Sequence, residues 1–338
     1  MQKILVTGGT GYIGSHTVVE LINEGFDVVI IDDLSNSEIA VLDGIEKITG
    51  TRPPFEQFNL IDQTKVSDFF SKHHDIEAII HFAANKAVGE SVAKPLMYYR
   101  NNLISLINLL QVMPVANVPN LVFSSSCTVY GQPENLPVDE SAPVQKPESP
   151  YGNSKKIAEE IIKDTIKAEE NINALSLRYF NPIGAHESAL IGELPSGVPN
   201  NLVPFITQTA AGKRPKLKVF GDDYDTIDGS AVRDYIHVVD LAKAHVIAVK
   251  RLLTNKNKER YEYFNLGTGN GFSVLEVIKS FEKVTGLQLN YEIVDRRPGD
   301  IEKIWADTKL ANQELGWRAE KSLDDMMASA WKWQKMLD

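Results

Sequence analysis

Apolar residues along this chain come in short continuous blocks rather than in strict alternation with polar ones. Runs rich in Val and Ile occupy residues 3–7, 27–32, 55–60, 78–83, 120–124 and 174–180. Stretches suited to helices lie between them, residues 15–23 and 102–113 among others. A strand that is apolar throughout needs cover on both faces, so the pattern predicts a parallel sheet with helices on either side, a doubly wound, Rossmann-like α/β fold. Beyond residue 180 the sequence turns to loops rich in Gly, Pro and Asn, then to mixed strands and helices, which predicts a smaller mixed α/β lobe at the C-terminal end. The expected division is a sheet domain over residues 1–180 and a lobe over residues 181–338. Residues 234–253 and 261–267 read as a helix and a strand that return to the sheet. Trp331 and Trp333 read as part of a terminal helix packed on the body.

The first chemistry appears directly after the first run, in Thr7-Gly8-Gly9-Thr10-Gly11-Tyr12-Ile13-Gly14-Ser15. Glycines at 8, 11 and 14 between a strand and a helix allow a tight turn, close backbone approach to a pyrophosphate, and close packing of helix on strand. The helix start supplies N–H groups and a positive dipole end for phosphates. The next run ends in Asp32-Asp33, where a carboxylate suits ribose hydroxyls and repels a 2′-phosphate, so NAD is expected over NADP.

Tyr151 and Lys155 stand four residues apart at a predicted helix start. On a helix that spacing puts both side chains on one face, where the ammonium favours the ionised phenol. Bringing a phenol to neutral pH requires about 4 kcal/mol of preferential stabilisation, more than one cation usually supplies. A nicotinamide ring stacked nearby provides the second cation. A base beside an oxidised nicotinamide suits removal of an alcohol proton while the carbinol hydride moves to the cofactor.

Composition narrows the field. A net charge of −10 over 338 residues argues against nucleic acid as a partner. Cys127 is the only cysteine, which excludes an internal disulfide, suits a reducing compartment and reads as a small packing residue. His73-His74 lacks partnered ligands at metal spacing, so no metal site is expected. The N-terminal run meets glycine too soon for a signal peptide, and the most apolar long stretch, residues 103–123, is broken by asparagines, Pro114 and Pro119. A cytoplasmic protein without a membrane span is the expectation.

Taken together, the glycine loop and the Tyr151/Lys155 pair resemble the extended short-chain dehydrogenase/reductase superfamily. Further segments resemble, within it, the family of UDP-glucose (UDP-galactose) 4-epimerases. They include His81-Phe82-Ala83-Ala84, Lys86-Ala87-Val88-Gly89-Glu90-Ser91, Phe123-Ser124-Ser125-Ser126-Cys127-Thr128-Val129-Tyr130-Gly131, Leu177-Arg178-Tyr179-Phe180-Asn181-Pro182, Pro199-Asn200-Asn201-Leu202, Val232-Arg233-Asp234-Tyr235-Ile236-His237 and Arg296-Arg297-Pro298-Gly299-Asp300. The resemblance runs from residue 4 to about residue 334.

The resemblance implies C4 epimerisation of UDP-glucose and UDP-galactose in galactose metabolism, through a 4-keto sugar, with NAD tightly bound and the chain a homodimer. It implies that Ser126 bonds the reacting hydroxyl with Thr128 as a helper, that Tyr151 is the acid/base, and that Lys155 holds the nicotinamide ribose. It places Gly8, Gly11, Tyr12, Ile13, Gly14, Asp32, Asn36, Asn59, Leu60, Phe82, Ala83, Ala84, Lys86, Asn101 and Phe180 at the cofactor. It places Asn181, Asn201, Leu202, Arg233, Tyr235, Arg297, Asp300 and Ile304 at the UDP-sugar, where two arginines clamp the diphosphate of an anionic ligand. On this reading residues 1–180, with the returning segments, bind NAD and residues 181–338 bind the UDP-sugar.

Three departures from the family pattern stand out. Ala84-Asn85 replaces a common Gly-Leu, and Asn59-Leu60 replaces a common Asp-Ile. Ile304 stands where a tyrosine marks glucose and galactose specificity and a smaller residue marks acceptance of N-acetylated sugars, which leaves UDP-N-acetylhexosamines open as substrates. Two alternatives remain: a nucleotide-sugar dehydratase, which would carry Asp-Glu where Val129-Tyr130 follows Thr128, and a non-catalytic dinucleotide-binding module.

Overall fold

The structure, a computed structural model, describes residues 1–145, 147–297 and 301–337. Strands β1 (Lys3–Thr7), β2 (Asp27–Asp32), β3 (Phe55–Gln57), β4 (Ile76–His81), β5 (Asn120–Ser126) and β6 (Asn173–Tyr179) alternate with helices. Those helices are α1 (Tyr12–Asn23), α2 (Val41–Thr49), α3 (Gln63–Phe70), α4 (Val88–Ala93), α5 (Pro95–Ala116) and α6 (Pro150–Ala168). The chain continues through β7 (Asn181–Ile183), α7 (Leu202–Ala210), β8 (Leu217–Phe220), β9 (Val232–His237), α8 (Val238–Leu253) and β10 (Tyr261–Leu266). It ends with β11 (Gly271–Ser273), α9 (Val274–Thr285), β12 (Tyr291–Val294), β13 (Lys303–Ile304), α10 (Lys309–Glu314) and α11 (Leu323–Gln334).

Seven strands form one sheet in the order β10-β6-β5-β4-β1-β2-β3, each pair parallel. The apolar runs explain its two cores. Ile4, Val6, Val28, Ile30 and Ile80 pack to one side with residues of α1, α2 and α8, while Leu5, Val29, Ile31 and Ile79 pack to the other with α3, α5 and α6. Successive residues of a strand point to opposite faces, so only a continuous apolar run supplies both layers. The strand order reverses beside β1, which lies between β2 and β4 with Thr7 opposite His81. Open α/β sheets bind ligands in the crevice at such a switch point, beyond the carboxyl ends of the strands.

The C-terminal part adds a small sheet, β11-β9-β13 with β7 paired to β9, and a parallel pair β12-β8. Helices α7, α9 and α11 bury Ile206, Val277, Phe281 and Met327 against it. The segment 234–253 differs from its reading as one helix. Its first four residues end β9 in the small sheet, and α8 begins at Val238 with His237 as its N-cap. The run at 55–60 is a strand only to Gln57, after which Phe58 and Leu60 turn into the core.

Candidate active site

The glycine loop is shaped by steric necessity at two points. Gly8 has φ +73°, and a Cβ there would lie 2.8 Å from Ala83 N; a Cβ on Gly14 would lie 2.1 Å from Gly8 O. Gly11 N donates to Gly8 O (3.1 Å), and Gly11 caps α1 with no side-chain hydrogen bond. First-turn amides have no partner within a helix, so those of Tyr12 and Ile13 are donors for an anion. At the end of β2, Asp32 Oδ2 accepts from Thr10 N (3.2 Å), and Oδ1 accepts from Leu34 N (3.0 Å) and Ser37 Oγ (3.2 Å). Exposed Asn36 accepts from Ser196 Oγ across the crevice (3.1 Å). A cradle that admits no Cβ at Gly8 and Gly14, helix amides and a carboxylate at the end of the next strand together fit a dinucleotide.

Other expected cofactor residues fall around this cradle with different exposure. Phe82 and Ala83 are half-buried at the end of β4, and the Phe82 ring lies 4.6 Å from that of His245. Lys86 Nζ stands 5.7 Å over the Tyr12 ring. Asn101 is half-buried on α5, and Phe180 is buried beside Cys127 and Ile304. Asn59, expected at the adenine, is also bonded within the protein. Its Nδ2 donates to Asp33 Oδ2 (2.6 Å) and its Oδ1 accepts from Ile61 N (3.0 Å). The Leu60 side chain lies in the core, and its carbonyl accepts from Asn108 (2.8 Å). The Ala84-Asn85 departure has a simple account. Asn85 N donates to Asn102 Oδ1 (2.8 Å) and Asn85 O accepts from Asn102 Nδ2 (3.0 Å), so this loop is held through backbone atoms whatever its side chains.

The proposed catalytic side chains meet where β5 ends. Ser126 caps a 3-10 turn over Cys127–Tyr130, its Oγ accepting from Thr128 N (3.2 Å) and Thr128 Oγ1 (3.0 Å). Ser149 caps α6 by accepting from Gly152 N (3.2 Å). Gly152 lets α6 approach the turn, since a Cβ there would lie 2.9 Å from Pro147 and 3.2 Å from Thr128. This approach places the buried Tyr151, on the first turn of α6, beside the turn that Ser126 caps.

Electrostatics in this corner differ from the reading of the spacing alone. Burial pushes the Tyr151 phenol up from its ordinary value, and the bond from Ser126 opposes that rise. The Lys155 ammonium is turned to Ser124 O (2.6 Å) and lies 4.9 Å over the Phe123 ring, so the lysine does not overcome desolvation of its neighbour. Burial pushes Lys155 itself down to about 8, opposed by the Glu159 carboxylate.

Behind these residues lies a buried network that sequence reading missed. Glu159 accepts from Ser125 Oγ (2.6 Å) and from Arg178 Nε (3.0 Å) and Nη2 (2.6 Å). Arg178 also donates to Tyr130 Oη (2.9 Å), which donates to Asn265 (2.8 Å). Glu159 continues the i,i+4 series of Tyr151 and Lys155, and that spacing was the available signal.

The small sheet brings most of the remaining candidates together. Asn181 is the Cα partner of Tyr235, and Arg233 that of Ile304. Arg233 Nη1 donates to Val232 O (2.9 Å), and its charge reaches Cys127, next to Ser126. Asn181 is exposed, whereas Tyr235 is buried in the lobe core. Asn201 caps α7, and its Nδ2 donates to Glu193 Oε1 (2.6 Å); Leu202 follows, half-buried. Arg297 is exposed, 5.7 Å over the ring of Phe220. Phe220 is itself 38% exposed at the end of β8, and as a lone aromatic it gives no local signal in the sequence. Asp300 lies outside the described residues. Among the described residues no group of three or more His, Cys, Asp or Glu is placed to hold a metal ion, and no helix is long and apolar enough to cross a membrane.

Comparisons with known proteins agree with this geometry. Residues 5–330 match the family model described as GDP-mannose 4,6 dehydratase. The chain is 51% identical over 335 residues to UDP-glucose 4-epimerase of Yersinia enterocolitica, covering 99% of this chain and 98% of that protein. It superposes with TM-score 0.96 on the UDP-glucose 4-epimerase of Stenotrophomonas maltophila, crystallised with NAD and formylated UDP-arabinopyranose, at 49% identity over 100% of this chain and 99% of that one. The Bifidobacterium longum enzyme, crystallised with NAD+ and UDP, gives TM-score 0.94 at 48% identity over 99% and 98% of the two chains. With identity near one half over essentially the full length, and the glycine cradle and Ser126 both at the carboxyl ends of strands of one sheet, the chain belongs to the UDP-glucose 4-epimerase family of the extended short-chain dehydrogenase/reductases.

Proposed function

We propose that this protein interconverts UDP-glucose and UDP-galactose by inverting C4 of the sugar, with NAD as a resident cofactor. The observation that carries this reading is the buried Tyr151 on the first turn of α6, which Gly152 brings against the Ser126–Thr128 turn at the carboxyl end of the sheet whose first strand ends in the glycine cradle. When bound, NAD supplies a reversible hydride acceptor and a positive ring, which is what an inversion at an alcohol carbon with no net redox change needs. Amides of Tyr12 and Ile13, the Asp32 carboxylate, Lys86 and Asn101 hold it, with Phe82, Ala83, Ala84 and Phe180 lining the site. Asn36, in the same loop as Asp32, would face it beside Ser196 of the lobe, and Asn59 supports that region through Asp33.

Tyr151 takes the proton from the 4-hydroxyl at its phenolic oxygen and returns it after the sugar has turned over. Ser126 orients that hydroxyl, and Thr128 Oγ1 keeps the Ser126 lone pairs in register. Lys155 would hold the cofactor ribose, and its charge would favour the phenolate once a second cation shared the site. Arg233 and Arg297 clamp the diphosphate, Asn181, Asn201, Leu202 and Tyr235 frame the nucleotide, and Phe220 offers the uracil an exposed aromatic face. Firm anchoring of UDP leaves the sugar free to present either face.

The dehydratase named by the family model is the second reading. Val129 and Tyr130, which follow Thr128, are fully buried and carry no carboxylate. An elimination beside C4 therefore lacks its acid there. The range of sugars extends, on this proposal, to whatever fits beside Ile304, which is 3% exposed against Cys127 and Phe180.

The protein acts as a homodimer in the cytoplasm. Support for a paired surface comes from exposed Val92, Leu96 and Met97 on α4 and α5, and support for the compartment from the single cysteine. Sedimentation at micromolar concentration reads the dimer directly. For the activity, purified protein is incubated with UDP-galactose and, separately, UDP-N-acetylgalactosamine, without and then with added NAD, and the products are resolved. No 4-epimer in any tube rejects the proposal.

A further inference from the structure

Glu193 lies in the loop after β7, outside the catalytic scheme, yet its position is tightly determined. Its carbonyl accepts from Trp333 Nε1 (2.9 Å), and the preceding Gly192 pairs with Ala185. A Cβ at 192 would lie 2.5 Å from the Trp333 ring, so only glycine permits this approach. From that fixed backbone the side chain, 11% exposed, reaches the junction of the two expected ligand sites. One carboxylate oxygen, Oε1, accepts from Asn201 Nδ2 (2.6 Å) and lies 3.4 Å from Lys86 Nζ. The Lys86 ammonium also covers the Tyr12 ring, and Tyr12 Oη donates to Gly184 O (2.6 Å) on the lobe side. A cation from the cofactor side and an amide from the nucleotide side thus share one atom.

A half-exposed ion pair of this kind adds little to stability, so its consequence lies in the ligands its partners touch. We propose that Glu193 is a positioning residue that couples the two sites, aiming the Asn201 amide at the nucleotide while competing with the dinucleotide diphosphate for Lys86. This rests on the reading of Lys86 as a cofactor contact and Asn201 as a UDP contact. The two roles have different chemical requirements. Asn201 needs only an acceptor oxygen, which a glutamine retains, whereas the hold on Lys86 needs negative charge, which a glutamine lacks.

The test uses the holoenzyme with Glu193→Gln and Glu193→Ala. UDP affinity is measured by calorimetry, and NAD content after dialysis against increasing salt. Glu193→Gln is expected to keep UDP affinity within about threefold, and Glu193→Ala to weaken it about tenfold, the scale of one ordering hydrogen bond. Both variants are expected to retain NAD to higher salt than the parent, because Lys86 then answers only to the diphosphate; in a Lys86→Met background Glu193→Gln should leave retention unchanged. Equal loss of UDP affinity in both variants, or unaltered NAD retention in both, overturns the coupling. Thermal melting controls for folding, and Glu193→Gln, being isosteric, keeps the test valid if the alanine variant folds poorly. Silent Asn201→Ala and Lys86→Met variants would overturn the underlying site assignment, and the coupling with it, and so distinguish the two failures.

Discussion

Replacing Lys155 by Met should stabilise the protein while disabling it. Lys155 is 4% exposed and holds its proton only up to about pH 8, against 10.5 for an ordinary lysine. At pH 7, below both values, keeping it charged inside the fold costs about 3 kcal/mol. Methionine matches the unbranched stem without the charge, and loss of the bond to Ser124 O removes about 1 kcal/mol, so a net gain of about 2 kcal/mol is expected. The sign with pH follows from a depressed folded value. Between pH 8 and 10.5 the unfolded chain binds the proton and the folded one does not, so raising pH stabilises the parent. By pH 9.5 the cost has fallen to about 1.4 kcal/mol and the advantage of the variant nearly vanishes. Urea unfolding of nucleotide-stripped protein at pH 7 and 9.5, followed by circular dichroism, measures both differences. A variant less stable than its parent at pH 7, or an advantage that does not shrink with pH, would refute the burial argument. Epimerisation of UDP-galactose by the same variant should be strongly reduced.

Three further outcomes are expected. Tyr151→Phe should lower kcat by about 10²- to 10⁴-fold, the scale of losing a general acid/base, while bound NAD stays visible by absorbance; near-parental kcat rejects the assignment. Phe220→Ala should weaken UDP by about 5- to 100-fold in calorimetry if the exposed ring stacks on the base, and unchanged affinity assigns the ring elsewhere. Ile304→Ala should cost about 2–4 kcal/mol of stability by truncating a buried side chain. It should also raise turnover of UDP-N-acetylgalactosamine relative to UDP-galactose, and an unchanged ratio on product analysis would show that position 304 does not set the sugar range.

Much of the fold was legible because its signals are local. Continuous apolar runs specify two-sided burial, and all six runs hold strands of the parallel sheet, five of them with ends within about two residues of those expected. The run at 55–60 was overextended because Phe58 and Leu60 are apolar for a different reason, packing under α3 rather than pairing. The segment 234–253 hid a boundary, since β9 and α8 are joined directly by His237, whose side chain accepts from Val239 N (3.1 Å). No glycine or proline marks that junction, so composition gave no punctuation there.

At the site, the glycine positions, Asp32, Tyr151 and Lys155 were singled out from residue type and spacing, because the covalent chain itself sets helix faces and permitted turns, and Ser126 from the family resemblance. What those residues experience was decided by segments far away in sequence. Glu193 meets Lys86 across 107 residues, Tyr12 meets Gly184 across 172, and Asn59 is bonded to Asp33 across 26. The direction of the Tyr151 and Lys155 ionisations was set the same way. Spacing places a cation near a phenol, but only the packed structure removes the water around both, and that desolvation outweighs their attraction. Sequence alone determined which chemistry is present and on which elements; tertiary structure decided its protonation, its partners and its reach, because burial depends on the whole chain rather than on any stretch of it.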